Sequence, residues 1–404
     1  MEFQTLLNKY YFKNHLTSRP MIDPIQRRKF LKQSLQAGSL LSIGAPLLSE
    51  WATENQEASN KSLNILILGG TSFLGPHQIA YALERGHKIS TFTRGKTEPT
   101  VHKELFSQVE SLTGDRSNNL ESLKGKKWDV VIDNSGHRLQ WAIDSANLLK
   151  DQADFYLYTS STGVYYPYLG NDITEGTKLL MKEPEELENE EEKMEYWYGV
   201  MKANSEMEAQ KAFGKERTII VRPTYMVGPA DKLDRFIHWP VRLSKGGEVL
   251  VPGNGDDPVQ LMDVRDVAQW MIRLAEKKAA GVYNAVGPAS PMGMHAFVYG
   301  AHAAFNTSVS WQMIDDYDFL KENGVHYIVP WIMPEGNNWG SARVNNEHAI
   351  KNGLTYTPLA KTVRDTYEWW YSDALTDELR AKFEENAKSV LVREAEILKA
   401  WKNR

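Results

Sequence analysis

Tyr198 and Lys202 stand four residues apart in Tyr198-Gly199-Val200-Met201-Lys202. On a helix that spacing brings both side chains to one face. An ammonium beside a phenol favours the phenolate and draws its pKa down from about 10 toward working pH. A phenol so tuned can give or take the proton of a hydroxyl that becomes a carbonyl. Alone, such a pair is common by chance. Upstream, however, Ser160-Ser161-Thr162-Gly163-Val164-Tyr165 closes an apolar run, Phe155 to Thr159, that reads as a strand. Ser161 can hydrogen-bond the oxygen that Tyr198 protonates. Ser161, Tyr198 and Lys202 are therefore the candidate catalytic residues.

A second constellation lies around residue 70. The run Leu63 to Leu68 leads directly into Gly69-Gly70-Thr71-Ser72-Phe73-Leu74-Gly75, ahead of a helix expected over Pro76 to Arg85. Glycine at such a corner permits a tight turn and a close approach of the backbone to a pyrophosphate. The helix start adds N–H groups and a positive dipole end. A second strand, Lys88 to Thr93, runs into Arg94. An acid at that place holds the ribose of NAD, whereas an arginine suits the 2′-phosphate of NADP. After a third strand region, Asp115 and Arg116 follow Gly114, where a carboxylate can reach an adenine amino group. Asn134-Ser135-Gly136-His137 closes a fourth strand, Trp128 to Asp133, on the nicotinamide side. The candidate cofactor contacts are thus Gly69, Gly70, Thr71, Ser72, Phe73, Leu74, Gly75, Arg94, Asp115, Arg116, Asn134, Ser135 and Lys202, for NADP or NAD. His137 is a candidate substrate contact, with a satisfied loop histidine as its plain alternative.

The elements that must position these residues alternate strand and helix, with a further strand at Arg217 to Val221. That alternation predicts a Rossmann-type α/β fold, a doubly wound parallel sheet covered on both faces. Residues 62–240 are expected to form the dinucleotide-binding domain and residues 241–404 a smaller C-terminal substrate lobe. Near the end, Leu379, Phe383, Ala387, Leu391, Ala395 and Leu398 recur at helical intervals and predict one docked amphipathic helix. The acidic stretch Glu183 to Glu195 has no histidine partner and reads as a solvated loop or helix lead-in, not a metal site.

Composition narrows the function classes. A net charge of -5 over 404 residues leaves no basic surplus for general nucleic-acid binding. Cysteine is absent, which excludes disulfides, thiolate catalysis and thiolate-bound metal. Within residues 1–58, Gln26-Arg27-Arg28-Lys29-Phe30-Leu31-Lys32 precedes a short apolar stretch, Leu35 to Leu48. Paired arginines before a stretch too short to span a membrane resemble a twin-arginine export signal. Export to the periplasm is the expectation, with Met21 as an alternative start.

The motifs taken together resemble the extended short-chain dehydrogenases, the NAD-dependent epimerase/dehydratase branch. The resemblance runs from residue 64 to about 370 and includes Thr174-Glu175, Arg222-Pro223-Thr224, Gly228-Pro229, Asp263 to Ala268, Gly281 to Asn284 and Gly353 to Tyr356. It implies an oxidoreductase or epimerase using Ser161, Tyr198 and Lys202 on a hydroxyl or carbonyl of a sugar-like small molecule. Several positions depart from the pattern. Ser72 replaces the middle glycine of the loop, Tyr225 replaces an asparagine that contacts sugar nucleotides, and Val259 replaces an arginine that pairs with a diphosphate. Ser161-Thr162-Gly163 also lacks the acid of sugar dehydratases. These departures point away from nucleotide sugars, make Tyr225 a second candidate substrate contact, and look similar to an atypical branch that includes chloroplast stem-loop-binding proteins. Two alternatives stay open on that basis: a non-catalytic NADP-binding or sensing protein, and a nucleic-acid binder. The partners expected are a small-molecule substrate and at most a second copy of the chain in a homodimer, with no nucleic acid and no membrane span.

Overall fold

A computed structural model describes residues 62–404 apart from Ser135, Glu188, Leu233 and Asp234. The leader expected over 1–58, with Arg27 and Arg28, lies outside the described residues. The first half runs β1 (Asn64–Leu68), α1 (Leu74–Glu84), β2 (Lys88–Thr93), β3 (Glu110–Thr113), β4 (Trp128–Asp133), α2 (Leu139–Leu149), β5 (Ala153–Thr159), α3 (Glu190–Phe213) and β6 (Thr218–Pro223). It continues through β7 (Met226–Val227), α4 (His238–Lys245), β8 (Gly247–Pro252), β9 (Met262–Asp263), α5 (Val264–Glu276), β10 (Gly281–Ala285) and α6 (Met294–His302). Then come β11 (Val309–Ile314), α7 (Tyr317–Glu322), β12 (Tyr327–Ile328), β13 (Trp331–Ile332), α8 (Glu347–Lys351), α9 (Leu359–Trp370), α10 (Asp377–Glu384) and α11 (Val390–Lys402).

Seven strands form one sheet in the order β10-β6-β5-β4-β1-β2-β3. Every pairing in it is parallel. Alternation along each strand sorts the core onto two faces. Ile65 and Ile67 pack with Val130, Ile132 and Leu157 against Ile79 of α1 and Val267 and Met271 of α5. Leu66 and Leu68 pack with Val131, Tyr156 and Tyr158 against Ala142 and Ala146 of α2 and Ala209 and Phe213 of α3. Helices on both faces of a parallel sheet make this a Rossmann-type α/β fold, as the alternation predicts.

Two expectations are corrected. The sheet does not end at residue 240: its edge strand, β10, comes from residues 281–285 and pairs with β6, and α5 covers a sheet face. The lobe beyond residue 225 is therefore interleaved with the sheet, its own core gathering Phe236, Trp239, Val249, Phe297, Ile314 and Trp331. The single C-terminal helix is two, α10 and α11. Asn386 accepts a bond from Lys388 N, and Ser389 caps α11 by accepting from Val392 N. Both contacts draw the backbone out of the helical pattern. The acidic stretch does become a helix lead-in. Asn189 caps α3 by accepting from Glu191 N and Glu192 N, and Glu190 to Glu192 sit in its first turn, where the helix dipole favours them.

Candidate active site

The strand ends converge on one cavity of about 500 Å³. Its wall takes Gly69 and Thr71 to Leu74 from the end of β1, Thr93 and Arg94 from β2, and Gly114 to Arg116 from β3. Asn134 and His137 follow β4, Thr159 and Ser160 follow β5, and Tyr198 and Lys202 come from α3. Ligands bind in such sheets at the carboxyl ends of the strands.

The glycine corner is built for close approach. Gly69 has φ 85°, a backbone state that side chains rarely adopt. A methyl group on Gly75 would lie 2.4 Å from the Gly70 carbonyl oxygen, so the turn and the first turn of α1 touch through bare backbone. No side chain caps α1; Gly75 N is taken by the Ser72 carbonyl and Pro76 has no N–H, so among the first three residues only Leu74 can offer its N–H to a ligand. Ser72, in the place of the middle glycine, is exposed and accepts from Gly75 N through its carbonyl at 2.9 Å. The cradle, the uncapped helix start and the cationic wall of Arg94, Lys96 and Lys202 together fit a dinucleotide's pyrophosphate. Arg94 is exposed at the rim. Asp115 turns back on Ser117 N at 2.8 Å, which with Ser117's hydroxyl and the nearby Arg94 and Lys96 holds its carboxyl below the usual range.

Arg116 differs from its expected role. It reaches the cavity wall, but its guanidinium is engaged behind it by Asp133, by Ser145 Oγ at 3.0 Å and by the Trp141 carbonyl at 2.7 Å. Asp133 is fully buried and also accepts from Tyr156 Oη at 2.6 Å. Burial alone would raise the Asp133 carboxyl; Arg116 overrides it and holds the group ionised. This pair anchors β4 to β5 and α2.

On the other wall, α3 lies against the Thr162–Tyr165 turn because two glycines allow it. A methyl group on Gly199 would meet the Gly163 carbonyl oxygen at 2.5 Å, and one on Gly163 would meet the Tyr198 ring at 2.8 Å. Ser161 Oγ accepts from Gly163 N at 3.0 Å and lies close enough to the Tyr198 phenol to oppose the upward push of burial on its pKa. Ser161 and Tyr198 are thus neighbours, and Tyr198 and Lys202 line one cavity, although the cavity wall itself shows Ser160 in place of Ser161. That residue's hydroxyl is buried without a hydrogen-bond partner. Lys202 Nζ donates to the Thr159 carbonyl at 2.9 Å and to Tyr158 Oη at 3.3 Å, and sits 4.9 Å from the Tyr158 ring centroid. Burial lowers its pKa to about 8, partly offset by Asp133 and Glu206.

The phenol itself departs from expectation. Burial pushes Tyr198 above its ordinary value, and the opposing influences are Ser161 and Arg235, not Lys202. The lysine's hydrogen bonds hold it toward β5, so the acid form of Tyr198 is the resting one. His137 lines the cavity; the residue as a whole is exposed, but desolvation of its ring by the wall, and then Lys202, lower its pKa. Tyr225 lies outside the cavity wall, edge-on to Tyr327 with ring centroids 6.0 Å apart. Asn134 is held by Gln78 at 2.6 Å and Thr159 at 2.8 Å; Ser135 lies outside the described residues. Sequence reasoning missed Ser160, Gly163, Tyr158 and Arg235. Only Gly163 carried a signal, as a glycine one turn from the candidate serine. Among the described residues there is no cluster of His, Asp or Glu able to hold a metal ion, and no helix is long and apolar enough to cross a membrane.

Known proteins share this fold. The fold is similar to that of the Bordetella bronchiseptica enzyme WbmH in complex with NAD+, at TM-score 0.55 and 14% identity over 78% of this chain and 100% of that one. It is also similar to a UDP-N-acetylglucosamine 4-epimerase from Methanobrevibacter ruminantium, at TM-score 0.56 and 15% identity over 77% of this chain and 98% of that one. In sequence the chain is 28% identical over 249 residues to the chloroplast stem-loop binding protein of 41 kDa b of Arabidopsis thaliana, a match over 57% of this chain and 60% of that protein. Residues 65–286, more than half of the chain and the span that carries the glycine corner, Ser161, Tyr198 and Lys202, match a family of known description. The chain belongs to the NAD dependent epimerase/dehydratase family.

Proposed function

We propose that the protein is an exported, NAD- or NADP-dependent enzyme that acts on a hydroxyl or carbonyl of a sugar-like small molecule. The observation that carries this reading is the shared cavity, in which the glycine corner that fits a pyrophosphate faces the same space as Tyr198 and Lys202, with Ser161 beside Tyr198. The nicotinamide, when bound, supplies the acceptor and donor of hydride. Ser161 orients the reacting oxygen, and Tyr198, resting as the acid, delivers its proton to a carbonyl or receives one back from a hydroxyl. Lys202 holds its ammonium beside β5, where it can meet ribose hydroxyls, while Arg235 is the cation that acts on the Tyr198 phenol.

Val259 is buried in the lobe core and offers nothing to a diphosphate, which favours a substrate other than a nucleotide sugar. Outside the cell no supply of free cofactor replaces what dissociates. We therefore infer a tightly held nicotinamide and a redox-neutral reaction, in which hydride leaves the substrate and returns. The test is Tyr198→Phe. Affinity for NAD is expected to stay within twofold, while turnover of whichever sugar the wild type accepts falls by about 10² or more. Turnover near wild type removes the catalytic assignment. The likeness to an Arabidopsis protein named for stem-loop binding supports a second reading, a nucleic-acid-binding protein without turnover. That reading predicts that no sugar is converted by wild type or variant.

A further inference from the structure

No motif marks Arg235, yet its surroundings are those of a binding residue. It lines the same cavity as Tyr198 and Lys202. Its guanidinium carbon lies 5.7 Å from the Phe73 ring centroid. Its ion pair with Asp231 is long, 3.4 Å from Nη2. Nε is buried and has no hydrogen-bond partner, a state that costs free energy unless a ligand supplies the acceptor. Lys232, by contrast, turns to the rim and donates to the Glu98 carbonyl at 3.3 Å. The positive charge of Arg235 acts on the phenols of both Tyr198 and Tyr327, so guanidinium and candidate acid address one space.

A pyrophosphate already has its cradle at Gly69–Gly75 and the start of α1. Arg235 shares its cavity wall with Tyr198 and lies close enough for its charge to act on that phenol, and a planar fork of N–H groups suits a carboxylate. We propose that Arg235 anchors the substrate, and that the substrate is a carboxylate-bearing sugar whose hydroxyl faces Tyr198 while its carboxylate sits on the Arg235 fork. This rests on the reading of the cavity as a dinucleotide-dependent active site.

The experiment titrates D-glucuronate and D-glucose into the NAD-loaded full-length protein by calorimetry, for wild type, Arg235→Gln and Arg235→Lys, after titrating NAD into each. The expected result is NAD affinity within twofold in all three proteins and glucuronate bound in clear preference to glucose by wild type. Glucuronate affinity should drop at least tenfold, about 1.4 kcal/mol, in Arg235→Gln, with Arg235→Lys intermediate. A loss of NAD affinity in Arg235→Gln would overturn the proposal by assigning the guanidinium to the cofactor's pyrophosphate. Equal glucuronate affinity across the three proteins, or no preference for glucuronate over glucose in wild type, would overturn it as well. A wild type that binds no NAD sinks the underlying reading and the proposal together, and the NAD titration separates that outcome from the others.

Discussion

At the scale of single residues, Lys202 makes the most direct claim. Burial lowers its pKa from 10.5 to about 8. The folded chain therefore releases this proton before the unfolded chain does, so between those values Lys202 makes stability rise with pH. Cofactor affinity runs the opposite way, because the dinucleotide is an anion and the ammonium exists only below about pH 8. NAD binding measured by calorimetry is expected to weaken between pH 7 and pH 9. In Lys202→Met it should be weaker throughout and flat across that range. His137, whose pKa is lowered, titrates below this window and does not confuse it. An unchanged wild-type affinity across the window contradicts the role given to Lys202. Tyr198 and Lys202 were legible because helical spacing of four is a geometric statement. Arg235 and Ser160 were not, because a loop arginine and a second serine differ from their neighbours only in which hydrogen bonds the fold leaves unmade.

At the scale of elements, the contact between the glycine corner and α1 positions the cofactor end of the cavity. A side chain at Gly75 meets backbone, the Gly70 carbonyl oxygen at 2.4 Å, and backbone cannot swing aside. Gly75→Ala is expected to cost about 1–3 kcal/mol of stability, seen as a lower Tm, and to weaken NAD binding at least tenfold. A variant with unchanged Tm and affinity removes the close contact from the account. The corner could be read from sequence because glycine between an apolar run and a helix has few other uses. The break between α10 and α11 could not. The apolar spacing is continuous across it, and only the competing side-chain bonds of Asn386 and Ser389 divide the helix. The interleaving of β10 into the sheet was hidden for a similar reason. Strand order is set by long-range pairing, on which local periodicity is silent.

At the scale of the whole molecule, export and chemistry constrain each other. The paired arginines at Arg27 and Arg28 are proposed to send the folded protein out with its cofactor aboard. Replacing both with lysine is expected to retain the protein inside a bacterial host, as read by fractionation; secretion at the wild-type level refutes the signal. A folded, loaded enzyme must then keep what it carries, and the cavity at the strand ends is proposed to be the means. The sheet, its two helical faces and the cofactor edge followed from alternation alone, whereas the substrate did not, since the lobe that shapes its pocket has no periodic signature. The central claim is that this cavity holds a nicotinamide dinucleotide as a resident group. It is tested most directly by dialysing the purified full-length protein exhaustively, denaturing it in acid and measuring the nicotinamide released. Close to one NAD or NADP per chain is expected; a protein that comes through empty contradicts a resident cofactor.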